Sequence, residues 1–150
     1  MTKFAISALL VLAACLTAHA QPPPGPRDRA NCPVTGKPIV ITADTPAVAF
    51  HNGQRLFFAD AAAARAYSDS PRDYWLAPHE MPLKGVDGKR GLPDFRNETM
   101  RCPSSNETMV ISMRTPRVVH QGGQNVYFCC FGCVMGFWTD PTSMILGPTN

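Results

Sequence analysis

Three cysteines fall within five residues at Cys129, Cys130 and Cys133, inside the run VYFCCFGCVMGFWTDP (Val126–Pro141). Thiolates are the soft donors that hold zinc, copper(I) and iron–sulfur clusters. If a helix starts at this point, Cys129 and Cys133 stand at i, i+4 and Cys130 and Cys133 at i, i+3. Either pair then shares one helix face near a positive helix end, which favours thiolates. A single buried cysteine usually serves as a small hydrophobe, but three so closely spaced point to metal or redox chemistry. Cys102 adds a further thiol, so Cys102, Cys129 and Cys133, with Cys130 in reserve, offer three or four thiolates. Met109, Met113, Met135 and His120 are soft or borderline donors that would suit copper(I). Met109 and Met113 would share a strand face, although core filling is the plainer use of methionine.

Other chemistries find little footing. The sequence has no Ser/His/Asp set, no His-Glu-x-x-His run and no phosphate loop, so the expectation is a protein that is not an enzyme. A formal charge of +3 without a Lys/Arg run or a basic aromatic surface gives no reason to expect a nucleic-acid partner. The partners to expect are the ion itself and a metal-transport or resistance protein.

The elements that must position these thiols lie in a chain of 150 residues, enough for one ordinary domain or two very small ones. Residues 1–20 read as a secretory leader. Lys3 supplies the positive end, Phe4–Leu16 is apolar, and Ala18-His19-Ala20 has the small-x-small form of a cleavage site. Leu12-Ala13-Ala14-Cys15 also resembles a lipobox, which would make Cys15 a lipid anchor and is the one route to a membrane. Export, to a periplasm or the outside, is expected either way. Residues 21–30 form a proline-rich tether.

From Cys32 onward the chain repeats itself at a shift of 70 residues, with 12 identities in 45 ungapped positions. Chance would give about three. Cys32-Pro33 matches Cys102-Pro103, Thr45-Pro46 matches Thr115-Pro116, Gly53-Gln54 matches Gly123-Gln124, and Phe58 matches Phe128. Each copy reads as an apolar strand (Pro38–Thr42; Met109–Met113), a hairpin and a short helix. In the first copy the hairpin joins Val48–Phe50 to Arg55–Phe58 through His51-Asn52-Gly53-Gln54, and Asn-Gly is a strong hairpin signal. Asp60 is the expected N-cap of Ala61–Tyr67, with Pro71 beyond it, and Phe131–Trp138 is the matching helix before Asp140-Pro141. The fold class expected is α+β, as two small units related by internal duplication: 31–76 and 101–146, joined by a Gly/Pro-rich loop over 77–100. Units this small need a staple or a neighbour. In the first copy Ala59, Asp60 and Ala63 replace the clustered cysteines, so that copy is expected to be metal-free. A residual site of Cys32, Asp60 and His51 is the lesser alternative, and His79 and Met81 in the loop are marginal auxiliary donors.

The pattern Cys-Pro before a strand, then Gly-Gly-x-x-Val-Tyr-Phe-Cys-Cys-x-x-Cys (Gly122–Cys133), an aromatic helix and Asp-Pro resembles the YHS/TRASH family. CPVTGKPI (Cys32–Ile39) is similar to the start of such domains in exported bacterial proteins. The resemblance implies treble-clef-like units that bind heavy metals, with Cys102, Cys129 and Cys133 at the ligand positions. Cys130 stands where many relatives have serine. It further implies a metal carrier, sensor or sequestering module holding one soft ion, Cu(I) or Zn(II). Two other readings stay open: a thiol/disulfide redox protein, since an exported compartment is oxidising, and a partner-binding module whose metal only holds the fold.

Overall fold

The computed structural model describes residues 28–76, 95 and 97–149. The leader with Cys15, most of the tether, and most of segment 77–100 with His79 and Met81 lie outside the described residues. Over the described residues the protein is a small mixed α/β fold with two helices and several small sheets. In the first half β1 (Arg29–Asn31) pairs antiparallel with β2 (Pro38–Val40), and β3 (Ala47–Phe50) with β4 (Arg55–Phe57). Helix α1 (Ala61–Asp69) follows, capped by Asp60, whose carboxylate accepts the Ala63 N–H at 2.8 Å. In the second half β5 (Thr99–Arg101) pairs with β6 (Thr108–Val110) and β7 (Arg117–Val119) with β8 (Asn125–Tyr127). Helix α2 (Phe131–Thr139) and β9 (Ile145–Thr149) follow.

The hairpin loops need left-handed backbone, and the residues that permit it are there: Asn52 has φ 67° and Gly53 φ 99°, Gly122 φ 81° and Gly123 φ 86°. Several sequence expectations shift. Strands β2 and β6 stop at Val40 and Val110. Beyond them the chain turns, the Thr45 and Thr115 hydroxyls accepting the N–H groups of Thr42 and Ser112 at 2.7 and 2.8 Å. Met113 therefore sits in a turn and shares no strand face with Met109. Helix α2 starts after Cys130, whose extended backbone (φ −150°, ψ 165°) makes it the N-cap. Cys129 thus precedes the helix and does not share a helix face with Cys133. Strands β1 and β5 take in Arg29–Ala30 and Thr99–Met100, expected in tether and loop, and β9 runs past Leu146.

Backbone pairing also joins the two halves. Strand β9 pairs antiparallel with β3, from Ala47↔Thr149 to Phe50↔Ile145, and so finishes a three-stranded sheet β4-β3-β9 in the first half. Reciprocally, Trp75 bridges antiparallel to His120, and the Leu76 N–H donates to Val119 O at 2.9 Å. Two buried glutamines lock the halves again. The Gln54 amide donates to Arg101 O (2.9 Å) and Tyr127 O (2.8 Å) and accepts from Tyr127 N–H (2.9 Å). Gln124 does the same to Asn31 O (2.9 Å), Phe57 O (2.7 Å) and Phe57 N–H (2.9 Å). Each amide behaves as a one-residue strand against the other half, pairing backbone groups that would otherwise need a partner.

One core lies between these layers. Phe137 of α2 packs on Phe128, Phe50 and Trp75 with ring centroids 5.3, 5.9 and 5.1 Å away. Tyr67 of α1 packs on Phe58 and His120 at 5.3 and 5.5 Å. Phe50, Phe58, Phe128 and Phe137 are all fully buried, and burying each stabilises the fold by about 2 kcal/mol. Cys32 and Cys102 belong to the same cluster. Each cysteine is therefore rooted in the wall that both helices share.

Candidate metal centre

Cys102 is set by a tight turn between β5 and β6. Its N–H donates to Glu107 O (2.9 Å), and its carbonyl accepts the Asn106 N–H (3.0 Å), with Asn106 itself at φ 63°. Asparagine is one of the few residues that bear this left-handed conformation. The side chain is fully buried. The other arm leaves β8 through Phe128, which is anchored by its N–H on Pro116 O at 2.8 Å. It then passes Cys129, turns at Cys130 and enters α2, with Cys133 in the first turn.

The two arms bring the sulfurs of Cys102, Cys129 and Cys133 together, all within 4.8 Å of one another. The Cys129 and Cys133 sulfurs are 3.6 Å apart. Thiolates bound to one zinc at tetrahedral angles stand about 3.8 Å apart, so modest side-chain rotation would close this set on a soft ion. The donor set therefore fits such an ion, which would link the β5–β6 turn to the start of α2. Cys130 lies outside this triad: it is exposed and its sulfur is 3.5 Å from that of Cys133.

The ionisation pattern suits a cation. Burial opposes a thiolate at Cys102, but the N–H groups of Ser105 and Cys129, with the Ser105 hydroxyl and Ser104 N–H, bring its pKa down to about 7. At Cys129 the Ser105 hydroxyl, 3.1 Å from the sulfur, favours the thiolate. Burial and the neighbouring Cys133, Cys102 and Glu107 outweigh it and push the pKa up to about 12. Burial also raises Cys133, with Cys130 and Cys102 adding to it. Within the triad Cys102 is the most acidic thiol, and a negative charge there opposes ionisation of its neighbours, whose protons a bound cation would displace.

The other predicted donors are elsewhere. His120 is buried between the halves, with Nε2 2.8 Å from the Tyr67 hydroxyl. Met109 packs against the core, while Met113 and Met135 are exposed. Cys32, Asp60 and His51 do not converge: among the described residues the cysteine triad is the group of His, Cys, Asp and Glu side chains that does. Asp60 is spent on capping α1, and His51 is exposed in its loop. Cys32 keeps a cradle like that of Cys102. Burial raises its pKa, but the Thr35 hydroxyl and the N–H groups of Ala59, Thr35 and Val34 lower it overall. What it lacks is a second and third thiol, because Ala59 and Ala63 have none.

Sequence reasoning missed Ser105, three residues after Cys102, whose only signal was a hydroxyl in the Cys-Pro-Ser-Ser turn. No protein-family model, curated protein or solved structure matches the chain.

Proposed function

We propose that this chain is an exported heavy-metal-binding protein in which one soft ion, Cu(I) or Zn(II), is held by Cys102, Cys129 and Cys133. The observation that carries this reading is the convergence of those three sulfurs within 4.8 Å. The proposed architecture is a tandem pair of YHS/TRASH-like, treble-clef-like units made by internal duplication. The recurrence of strand pairs, helices and the reciprocal bridges at a shift of seventy residues supports it. The first unit is the metal-free copy.

A carrier or sequestering role, with a metal-transport or resistance protein as partner, follows from accessibility; a sensor would use the same site. Cys102 is buried, Cys129 and Cys133 are half-buried, and Cys130 is exposed beside them. An ion held there is within reach of an incoming thiol ligand. The proposed role is non-catalytic, and the location periplasmic or secreted, with lipidation at Cys15 as the membrane-bound variant.

Elemental analysis of reduced, anaerobically purified protein should give one ion per chain. Cys133→Ala should abolish tight binding, Cys32→Ala should leave it nearly intact, and Cys130→Ser should keep the stoichiometry. Two ions per chain, or equal loss in the Cys32 and Cys133 variants, would refute the site. Thiol redox chemistry is the second reading, favoured by the 3.5 Å between the Cys130 and Cys133 sulfurs. It would appear as metal-free protein forming a reversible disulfide in glutathione buffers. A purely structural ion would be betrayed by unfolding when a chelator removes it.

A further inference from the structure

The half without a thiolate set grips both arms of the half that has one. Gln54, at the end of the first half's hairpin loop, donates to Arg101 O, immediately before Cys102, and pairs with both backbone groups of Tyr127, two residues before Cys129. One buried amide therefore fixes the spacing between the two ligand arms. Asn52 from the same loop reaches Cys102 itself, its Nδ2 donating to Cys102 O at 2.8 Å. That carbonyl also takes the Asn106 N–H that closes the cysteine turn.

The opposite side provides an internal comparison. Gln124 grips the Cys32 side as Gln54 grips the Cys102 side. At the place of Asn52, however, stands Gly122, and a Cβ there would lie 2.8 Å from Asn31 O. The side chain that reaches the buried cysteine's turn is thus present on the side that carries the thiol triad and missing on the side that carries a lone cysteine. Both loop positions are left-handed, φ 67° at Asn52 and 81° at Gly122. Glycine would suit Asn52's backbone at least as well, so the loop conformation alone does not call for asparagine.

We propose that the first half is the clamp of the metal centre: Asn52 and Gln54 are positioning residues that hold the Cys102 arm in register with the Cys129–Cys133 arm. This rests on the metal-binding reading. A ligand arm free to drift would have to be ordered anew at each binding event, and second-layer hydrogen bonds that orient ligands are typically worth ten- to a hundredfold in affinity.

The test uses the full chain, with Zn(II) and, under reducing anaerobic conditions, Cu(I), each in competition with a chelator. Asn52→Gly removes only the bond to Cys102 and leaves a residue that accepts the loop's backbone. It should melt no earlier than the unmodified protein without metal, yet bind the ion about tenfold or more weakly. Gln54→Leu and Gln124→Leu each lose three hydrogen bonds between the halves and should lose comparable stability without metal. Only Gln54→Leu should weaken metal binding. Unchanged affinity in Asn52→Gly, or equal affinity losses in the two glutamine variants, would overturn the clamp while leaving the metal site in place. Failure of the unmodified protein to bind either ion would instead overturn the metal reading, and the clamp with it.

Discussion

His120 shows how much one side chain can report about the join between the halves. It is fully buried, and burial drives its pKa down to about 3, against hydrogen bonding to the Gln124 and Val118 backbone, which acts to raise it. Its Nδ1 lies 3.3 Å from Gln124 O, which can only accept, so the ring proton sits on Nδ1 and Nε2 accepts from the Tyr67 hydroxyl. In the unfolded chain the ring titrates near 6.5. Between about pH 3 and 6.5 the unfolded state therefore binds the extra proton, and stability rises with pH across that window, being complete above it. The slope approaches at most about 1.4 kcal/mol per pH unit. Urea unfolding between pH 5 and 7, above the carboxylate range, should show this limb. It should flatten in the double variant His120→Phe, Tyr67→Phe, which copies the Phe50–Phe137 contact of the opposite side. A limb of the same slope in that variant would mean that some other group titrates there.

Among the elements, α1 has the cap that α2 lacks. Asp60 takes the Ala63 N–H, whereas Cys130 makes no side-chain capping bond. Asp60→Ala should cost about 1 kcal/mol in denaturant unfolding with no change of slope, and should leave the metal stoichiometry at one. A second effect on metal binding would revive a role for Asp60 as a ligand. Asp60 and the prolines after each helix are local signals, which is why the helices were legible within two residues. The hairpin loop was legible for the same reason: Asn52 and Gly53 are of the residue types that accept left-handed backbone. Strands β1 and β5 are three residues each and take their identity from β2 and β6. Strand β9 contains Gly147 and Pro148, residues poor in strands. It becomes a strand because the edge of β3, nearly a hundred residues earlier, is open to it. At the site, spacing marked out Cys129 and Cys133, and family resemblance brought Cys102 to them. The start of the helix at Phe131 was legible, but the shared helix face of Cys129 and Cys133 was not met, because Cys130 is the N-cap and Cys129 stands before it. Asn52 and Gln54 carried no readable signal for the site, because their contacts lie 47 to 73 residues away.

At the scale of the whole molecule, the backbone pairing between the halves, the paired glutamines and the shared aromatic cluster leave neither half with a core of its own. Phe137 of α2 rests on Phe50 and Trp75 from the first half, and Tyr67 of α1 on His120 from the second. The described residues should therefore unfold in a single cooperative step, with coincident transitions by tryptophan fluorescence and far-ultraviolet circular dichroism. The proposed ion would then act on that single equilibrium. At a free ion concentration a hundred times the dissociation constant, stability should rise by about 2.7 kcal/mol. Because unfolding of α1 requires release of Phe50, His120 and the β3–β9 pairing, the gain should spread well beyond the ligands. Amide hydrogens of Ala64–Tyr67 in α1, which supplies none of the three cysteines, should gain as much protection as those of Val134–Phe137 in α2, provided both exchange by global unfolding. Hydrogen exchange with and without Zn(II) measures this directly. Protection that rises only in the second half, or a melting curve that splits into two steps when the ion is added, would show that the halves are separable and that the shared core is weaker than its contacts suggest.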